Sequence, residues 1–125
     1  MAVLGFEHVG IQVENIEKSI KFYQEVVGIE LIDQYLHPDG DKNLAFLGVN
    51  NEIIVEFIEG YNANLPVEGK VHHIAFKVKD IEGEQERLEG AGVVWINKEI
   101  TTLPNGSKYI FFRGPDQEWI EFFES

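Results

Sequence analysis

Two histidines and two glutamates occupy matching positions in this sequence, and their side chains are suited to binding a metal ion. Glu56 follows His8 at the same sequence separation as Glu121 follows His73. The chain contains no cysteine, so any metal must be held by histidine nitrogen or carboxylate oxygen. Such ligands suit one divalent ion: Zn²⁺, Ni²⁺, Mn²⁺, Fe²⁺ or Co²⁺. Four of them around an octahedral ion leave two positions for water or substrate oxygens.

Each of these residues also has an ordinary structural interpretation. A single histidine on a strand is commonly a hydrogen-bonded structural residue, and a single glutamate between apolar residues commonly lies on a solvated face or a sheet edge. The equal spacing of the two pairs favours the metal site over this alternative. His37, in the loop before Pro38, is predicted to be a surface residue.

The equal spacing belongs to a repeat that runs through the chain. The segment HVGIQVENIE from His8 resembles HIAFKVKDIE from His73, which defines a fixed offset between the two halves. The same offset places LAFL (44–47) over YIFF (109–112) and IVEFIE (54–59) over WIEFFE (119–124). One offset that aligns three separated blocks indicates two copies of one module.

Each module is predicted to begin with a strand and a helix. Residues 6–13 alternate between apolar and other side chains, the pattern of a half-buried strand. Asn15 and Asp80 then offer side-chain oxygens as helix N-caps, and Gly28 and Gly92 are typical of helix ends. Between these signals, apolar residues recur at helical spacing: Ile16, Ile20, Tyr23 and Val27 in the first module, and Ile81, Leu88 and Ala91 in the second.

Three further strands complete each module. They are predicted over Ile29–Tyr35, Leu44–Gly48 and Ile53–Ile58, and over Val93–Ile100, Tyr109–Arg113 and Trp119–Phe123. The chain is therefore predicted to be one α+β domain of two tandem βαβββ modules, residues 5–60 and 70–125, joined by a linker at 61–69. We expect the modules to form a curved mixed sheet around a cleft, with the helices outside.

The alternation of side chains along each strand predicts which residues face that cleft. Val55 and Phe57 mark the core face of one strand, so Glu56 lies on the opposite face, between two large apolar side chains. The equivalent strand places Glu121 in the same way. An isolated buried carboxylate costs several kcal/mol, and a bound metal relieves that cost. The predicted substrate-binding residues share the cleft face: Gln12, Ile54, Lys77, Trp119 and Phe123.

The same alternation selects one of two neighbouring histidines in the second module. Ile74, Phe76 and Val78 are predicted to pack under the helix, which leaves His73 on the cleft face. His72 is predicted to lie at the helix side or the edge of the strand, where a structural role is expected; the alternative is a group that contacts the substrate or supports a metal ligand.

Charge and hydropathy exclude several classes of partner. The formal net charge is −12, with 22 acidic and 10 basic residues, so binding to nucleic acid or to an anionic membrane surface is not expected. No segment approaches the roughly 20 apolar residues that span a bilayer. The start MAVLGFEHVG does not have the pattern of a signal peptide, and a cytoplasmic protein that acts on a small molecule is expected.

Four blocks of the chain resemble the vicinal-oxygen-chelate superfamily, which includes glyoxalase I, extradiol dioxygenases and bleomycin-resistance proteins. They are HVGIQVENIEKSIKFYQEVVGIEL, LAFLG, VHHIAFKVKDI and FFRGPDQEWIEF. The GPDQEWIEF segment is similar to the usual Asp-Pro-(Asp/Asn)-Gly-x-x-(Ile/Leu)-Glu signature, from which Gly114 and Gln117 depart. The resemblance covers essentially the whole chain.

The order His-Glu-His-Glu is similar to that of glyoxalase I, which implies His8, Glu56, His73 and Glu121 as ligands. It implies a lyase or isomerase like lactoylglutathione lyase, in which a proton moves between adjacent carbons through a metal-bound enediolate. Glu121 or Glu56 would be the catalytic base, and the resemblance favours Glu121. Small two-module members tend to form homodimers, so the ligands can come from one chain or from two.

The resemblance leaves two other functions open. Bleomycin-binding proteins have the fold without the metal ligands and bind a small molecule without turnover, and extradiol dioxygenases use two histidines and one carboxylate in a larger chain. Glyoxalase I usually carries an arginine for the carboxylate of glutathione. This chain has Gly10 and Gln12 at the comparable positions, and Lys77 or Lys108 are the basic residues that could replace it.

Overall fold

Each half of the chain forms its own four-stranded mixed sheet in the computed structural model, which describes residues 4, 6–67, 69 and 71–125. The chain divides into two units, Met1–Leu65 and Pro66–Ser125. The predicted module starts, Gly5 and Lys70, and Glu68 of the predicted linker lie outside the described residues. In the described part of the chain, no helix has the length and apolar content needed to span a bilayer.

The first unit has the order strand, helix, then three strands. Its elements are β1 (Val9–Val13), α1 (Ile16–Phe22) with a π-helical turn (Tyr23–Val27), β2 (Glu30–Leu36), β3 (Asn43–Val49) and β4 (Glu52–Glu59). The strand order in the sheet is β1-β4-β3-β2. β1 runs parallel to β4, and the other neighbours are antiparallel. The helical connection is what allows the first strand to lie parallel to the last.

The second unit repeats this arrangement. Its elements are β5 (Ile74–Lys77), α2 (Ile81–Gly90), β6 (Val94–Thr102), β7 (Lys108–Arg113) and β8 (Trp119–Glu124). The strand order is β5-β8-β7-β6, again with a parallel first pair and two antiparallel pairs. The predicted α+β class and the two tandem βαβββ modules are therefore confirmed.

The core of each unit lies between the helix and the inner face of its sheet. Val55 and Phe57 on β4 are 1% and 0% exposed, so the strand faces are as the alternation predicts. Tyr23 is fully buried and packs edge-on against Phe57, with 4.7 Å between ring centroids. Among the described residues of the second unit, the buried apolar side chains are Ile81, Leu88, Ile110, Phe112, Ile120 and Phe122.

Predicted strand bounds shift by one or two residues, and some other local predictions also differ from the structure. The first strand was expected from residue 6 but begins at Val9, so His8 immediately precedes it. The first helix was expected to continue as one α-helix to Val27, but it changes to π-helical geometry at Tyr23 before Gly28 ends it at a φ of 96°. Ala91 is exposed rather than part of the apolar stripe, because α2 ends at Gly90 and Gly92 turns the chain with a φ of 75°.

Candidate metal centre

The first half-site consists of His8 and Glu56. Glu56 stands in the middle of β4, and parallel pairing brings the start of β1 beside it, with Gly10 in register with Glu56. The chain just before β1 therefore passes close to the carboxylate. Nε2 of His8 lies 3.3 Å from Oε1 of Glu56, and the two side chains are 32% and 18% exposed.

The second half-site consists of His73 and Glu121 and has the same construction. Glu121 stands on β8 in register with Ala75 of β5, and His73 immediately precedes β5. Nε2 of His73 lies 3.3 Å from Oε1 of Glu121. The two predicted His–Glu pairs therefore each come together, with the same atoms at the same separation.

This separation fits two donors that share one metal ion. Donors each about 2.1 Å from an ion lie about 3.0 Å apart at an octahedral right angle and about 3.4 Å apart at a tetrahedral angle. Among the described residues, no group of three or more His, Asp or Glu side chains is arranged to hold a metal. Each unit therefore brings together two of the four residues predicted to be ligands, and their metal binding stays a prediction.

The carboxylate of the second half-site is more buried than that of the first, so its unpaired negative charge costs more free energy. Glu121 is 7% exposed. Burial raises the pKa of the Glu121 carboxyl above its usual value, and the neighbouring His73 opposes part of that rise. A carboxylate buried to this degree is stabilised by a bound cation, which agrees with its predicted role as a ligand.

A phenylalanine that is not among the residues predicted from the sequence borders each half-site. Phe46 on β3 is in register with Glu56, and Phe111 on β7 is in register with Glu121. The rings meet those of His8 and His73 edge-on, with centroids 6.4 Å and 5.1 Å apart. The sequence does carry a signal for these residues, because Phe46 in LAFL and Phe111 in YIFF occupy the same position in the two modules.

His72 lies beside the second half-site and immediately before His73, at the start of the edge strand β5. Its Nδ1 is 2.9 Å from Nδ1 of His73, and its ring packs against Trp119 with 4.6 Å between centroids. β5 begins only at Ile74, so both histidines precede the strand residues to which the alternation applies.

The predicted substrate-binding residues lie on the expected strands but differ in exposure. Gln12 on β1 and Lys77 on β5 are exposed, whereas Ile54, Trp119 and Phe123 are half-buried. Trp119 also contacts Phe111, with 5.4 Å between ring centroids. Their contact with a substrate stays a prediction.

Two further residues considered from the sequence, Lys108 and His37, each bond to a residue outside the half-sites. Nζ of Lys108 donates to Oε1 of Glu82 at 2.7 Å, so this lysine is held at the start of α2. His37 accepts the amide of Asp39 at 3.1 Å on its own loop, as expected for a surface residue.

The turn before β8 accommodates both departures from the family signature. The amide of Gln117 donates to the carbonyl of Gly114 at 3.0 Å, and Gln117 adopts a φ of 69°, where the signature has glycine. A Cβ at Gly114, where the signature has aspartate, would overlap the carboxylate of Glu118. That carboxylate accepts the amide of Asp116 at 2.8 Å, so Glu118 fills the space beside the turn.

Comparison with known proteins shows the family and agrees with the fold. Residues 5–122 match the profile of the Glyoxalase/Bleomycin resistance protein/Dioxygenase superfamily. The chain is 49% identical over 120 residues to the uncharacterized protein YwbC of Bacillus subtilis, covering 94% of this chain and 95% of that protein. It is 32% identical over 124 residues to lactoylglutathione lyase of Neisseria meningitidis, covering 94% and 88%. A glyoxalase family protein from Enterococcus faecalis has the same fold, with a TM-score of 0.79, 24% identity and coverage of 99% and 100%.

Proposed function

Because the chain belongs to the Glyoxalase/Bleomycin resistance protein/Dioxygenase superfamily, we propose that it is a metal-dependent lyase or isomerase with one divalent ion at each site. His8, Glu56, His73 and Glu121 would hold the ion. The observation that carries this proposal is the repeated Nε2–Oε1 separation of 3.3 Å in the two half-sites. Nitrogen and carboxylate donors at this spacing suit Ni²⁺, Zn²⁺, Mn²⁺, Fe²⁺ or Co²⁺.

The proposed reaction is a proton transfer between adjacent carbons of a small oxygenated substrate. A bound divalent ion supplies Lewis-acid stabilisation of the negative charge that develops on substrate oxygens. Glu121 takes the proton from one carbon and returns it to the next. Burial raises the pKa of the Glu121 carboxyl in the metal-free protein, and the resemblance to glyoxalase I favours the same residue as the base. Glu56, with the more exposed side chain, is the second carboxylate available for this role.

The surroundings of the half-sites support a partly apolar substrate. Phe111 is in register with the buried Glu121, and its ring contacts that of Trp119, which forms an aromatic surface next to this half-site. The similarity to lactoylglutathione lyase of Neisseria meningitidis supports a thiol adduct of a 2-oxoaldehyde as the substrate class. Lys108 is paired with Glu82, which leaves Lys77 as the candidate for binding an acidic group of the thiol.

The metal-binding part of the proposal is tested by loading the protein. Protein stripped with a chelator and reloaded with each of the five ions is expected to retain about one ion per chain. His73→Ala and Glu121→Gln are expected to lose it, whereas His37→Ala, which removes a surface histidine, retains it. Failure of the wild-type protein to bind any of these ions would sink the enzyme proposal.

The reaction is tested with the loaded protein and the adduct of methylglyoxal with glutathione or another cellular thiol. Isomerisation above the uncatalysed rate is expected with at least one thiol, and Glu121→Gln is expected to abolish it. Metal binding without isomerisation of any adduct would point to another reaction of the superfamily. Oxygen uptake with a catechol and Fe²⁺ would identify a dioxygenase instead.

We also propose that the protein is a homodimer, and a mixing experiment distinguishes ligands from one chain and from two. His8→Ala and His73→Ala each damage one half-site in every chain. If an active site combines half-sites of two chains, a mixed dimer of the two variants contains one site with all four ligands and regains activity. If both half-sites of a site belong to one chain, every site in the mixed dimer lacks a histidine, and activity stays absent.

A second candidate function is binding of a small molecule without turnover. The observation in its favour is the aromatic cluster of the second unit, where Trp119 contacts both Phe111 and His72. Quenching of tryptophan fluorescence by a planar apolar ligand, in protein that binds no metal, would favour this function over the enzyme.

A further inference from the structure

An unbroken series of contacts connects Glu121 to the surface of the second unit. Oε1 of Glu121 is 3.3 Å from Nε2 of His73, and Nδ1 of His73 is 2.9 Å from Nδ1 of His72. His72 is exposed. Each ring nitrogen of His73 thus has a polar neighbour: Nε2 faces the carboxylate of Glu121, and Nδ1 faces His72.

The separation between the two Nδ1 atoms requires one of them to carry a proton and the other to accept it. Without metal, Nε2–H of His73 faces the carboxylate of Glu121, so Nδ1 of His73 accepts and Nδ1–H of His72 donates. A metal ion at Nε2 needs the lone pair of that nitrogen, so the proton of His73 must then be on Nδ1. The hydrogen bond reverses, and His72 becomes the acceptor.

His72 is able to take both roles because imidazole has one donor and one acceptor nitrogen. Its exposed position lets the second nitrogen exchange a proton with water. The rings are also held in place: His72 packs on Trp119, and Phe111 meets His73 edge-on at a centroid distance of 5.1 Å.

The first half-site has no equivalent partner among the described residues. The residue before His8 is Glu7, whose side chain is 82% exposed and whose Oε1 is 3.8 Å from Nδ1 of His8. That distance is too long for a hydrogen bond. Nδ1 of His8 is buried and has no hydrogen-bond partner in the described part of the chain. His8 and His73 are equivalent in the sequence repeat, but only Nδ1 of His73 has a hydrogen-bond partner among the described residues.

We infer that His72 is a positioning residue for His73: its Nδ1 fixes the ring and the proton position that let Nε2 of His73 bind the metal ion. This inference rests on the proposed function. Partners of this kind orient ligand histidines and raise their basicity, and their loss typically lowers metal affinity by about 10- to 100-fold.

Two substitutions separate the hydrogen bond from the ring contact. His72→Phe keeps an aromatic ring against Trp119 but removes the acceptor. His72→Asn removes the ring but keeps an amide near the position of Nδ1, and an amide can donate or accept. Glu7→Gln is the matched control, because it changes the residue before the other ligand histidine.

The measurement is the dissociation constant for Zn²⁺ by competition with a chelator, on the full chain at about pH 8, where an unperturbed imidazole is neutral. We expect His72→Phe to weaken binding by about 10- to 100-fold. We expect His72→Asn to bind Zn²⁺ much more tightly than His72→Phe does, close to the affinity of the wild type. Glu7→Gln is expected to change the affinity by less than about fivefold. Circular dichroism confirms that each variant is folded.

Nitrogen-15 NMR of the histidine rings gives a readout that does not depend on activity. The proton of His72 is expected on Nδ1 in the metal-free protein and on Nε2 after loading with Zn²⁺. The inference is overturned if His72→Phe binds Zn²⁺ as tightly as the wild type, if Glu7→Gln loses as much affinity as His72→Phe, or if the proton of His72 does not move. Absence of Zn²⁺ binding by the wild type would instead refute the proposed function, and the inference with it.

Discussion

The carboxylate of Glu59, at the end of β4, accepts a hydrogen bond of 2.7 Å from the backbone amide of Ile16, the first residue of α1. Glu124, at the end of β8, accepts the amide of Ile81 at 2.8 Å in the same way. In both units the half-site glutamate lies three residues earlier on that strand. The strand that carries the ligand is thus joined to the start of the helix.

Removal of either contact is expected to weaken its unit. Glu59→Ala and Glu124→Ala should each lower the free energy of unfolding by about 1 kcal/mol, since each leaves a helix N-terminal amide without its acceptor. Urea denaturation measures the change. Glu25→Ala, on the exposed side of the π-helical turn, is the control and should change stability by less than about 0.5 kcal/mol. Equal effects at all three positions would contradict the capping role.

Gln117→Gly is expected to stabilise the protein. Gln117 has a φ of 69°, a left-handed conformation that glycine adopts without the steric cost carried by other residues. Because glycine also loses more entropy on folding, the net gain should be about 0.5–1 kcal/mol in urea denaturation. Gly106→Ala, at a φ of 90°, should have the opposite sign. A loss of stability in Gln117→Gly would disprove this account of the turn.

The stability of the metal-free protein is expected to depend on Glu121 in a pH-dependent way. Burial raises the pKa of this carboxyl in the folded state above its ordinary value of 4.5. Protonated Glu121 therefore favours folding, and this contribution is lost as the pH rises through the folded-state pKa. Glu121→Gln should be more stable than the wild type near neutral pH in a chelator, with a difference that shrinks as the pH falls toward the ordinary pKa of the carboxyl. Thermal unfolding of both proteins at several pH values measures this difference in stability. A difference that grows on acidification would contradict a raised pKa of Glu121 in the folded state.

Metal addition should reverse the order of stability of these two proteins. A ligand that binds only the folded state raises the unfolding free energy, by about 2.7 kcal/mol at a concentration roughly 100 times its dissociation constant. The wild type should therefore unfold at a higher temperature with Ni²⁺ or Zn²⁺, whereas Glu121→Gln should respond little. An equal response in both proteins would exclude Glu121 as a ligand.

Repetition in the sequence made most of the fold and both half-sites predictable. A single constant offset identified the modules, and the equal His–Glu spacing within them identified the pairs. Strand alternation correctly assigned Val55 and Phe57 to the core because every residue involved lies within a strand. His72 and His73 precede β5, so the same rule does not by itself fix the positions of their side chains.

The sequence by itself determined the two βαβββ modules and the identity of the four candidate ligands, because periodicity and repeat spacing are properties of the chain alone. Tertiary structure decided what surrounds those ligands. Phe46 and Phe111 border the half-sites only through cross-strand register, and His72 meets His73 only through the path of the chain before β5. Contacts of this kind depend on where separate segments meet in space. For that reason His8 and His73, which are equivalent in the repeat, are not equivalent in the folded protein.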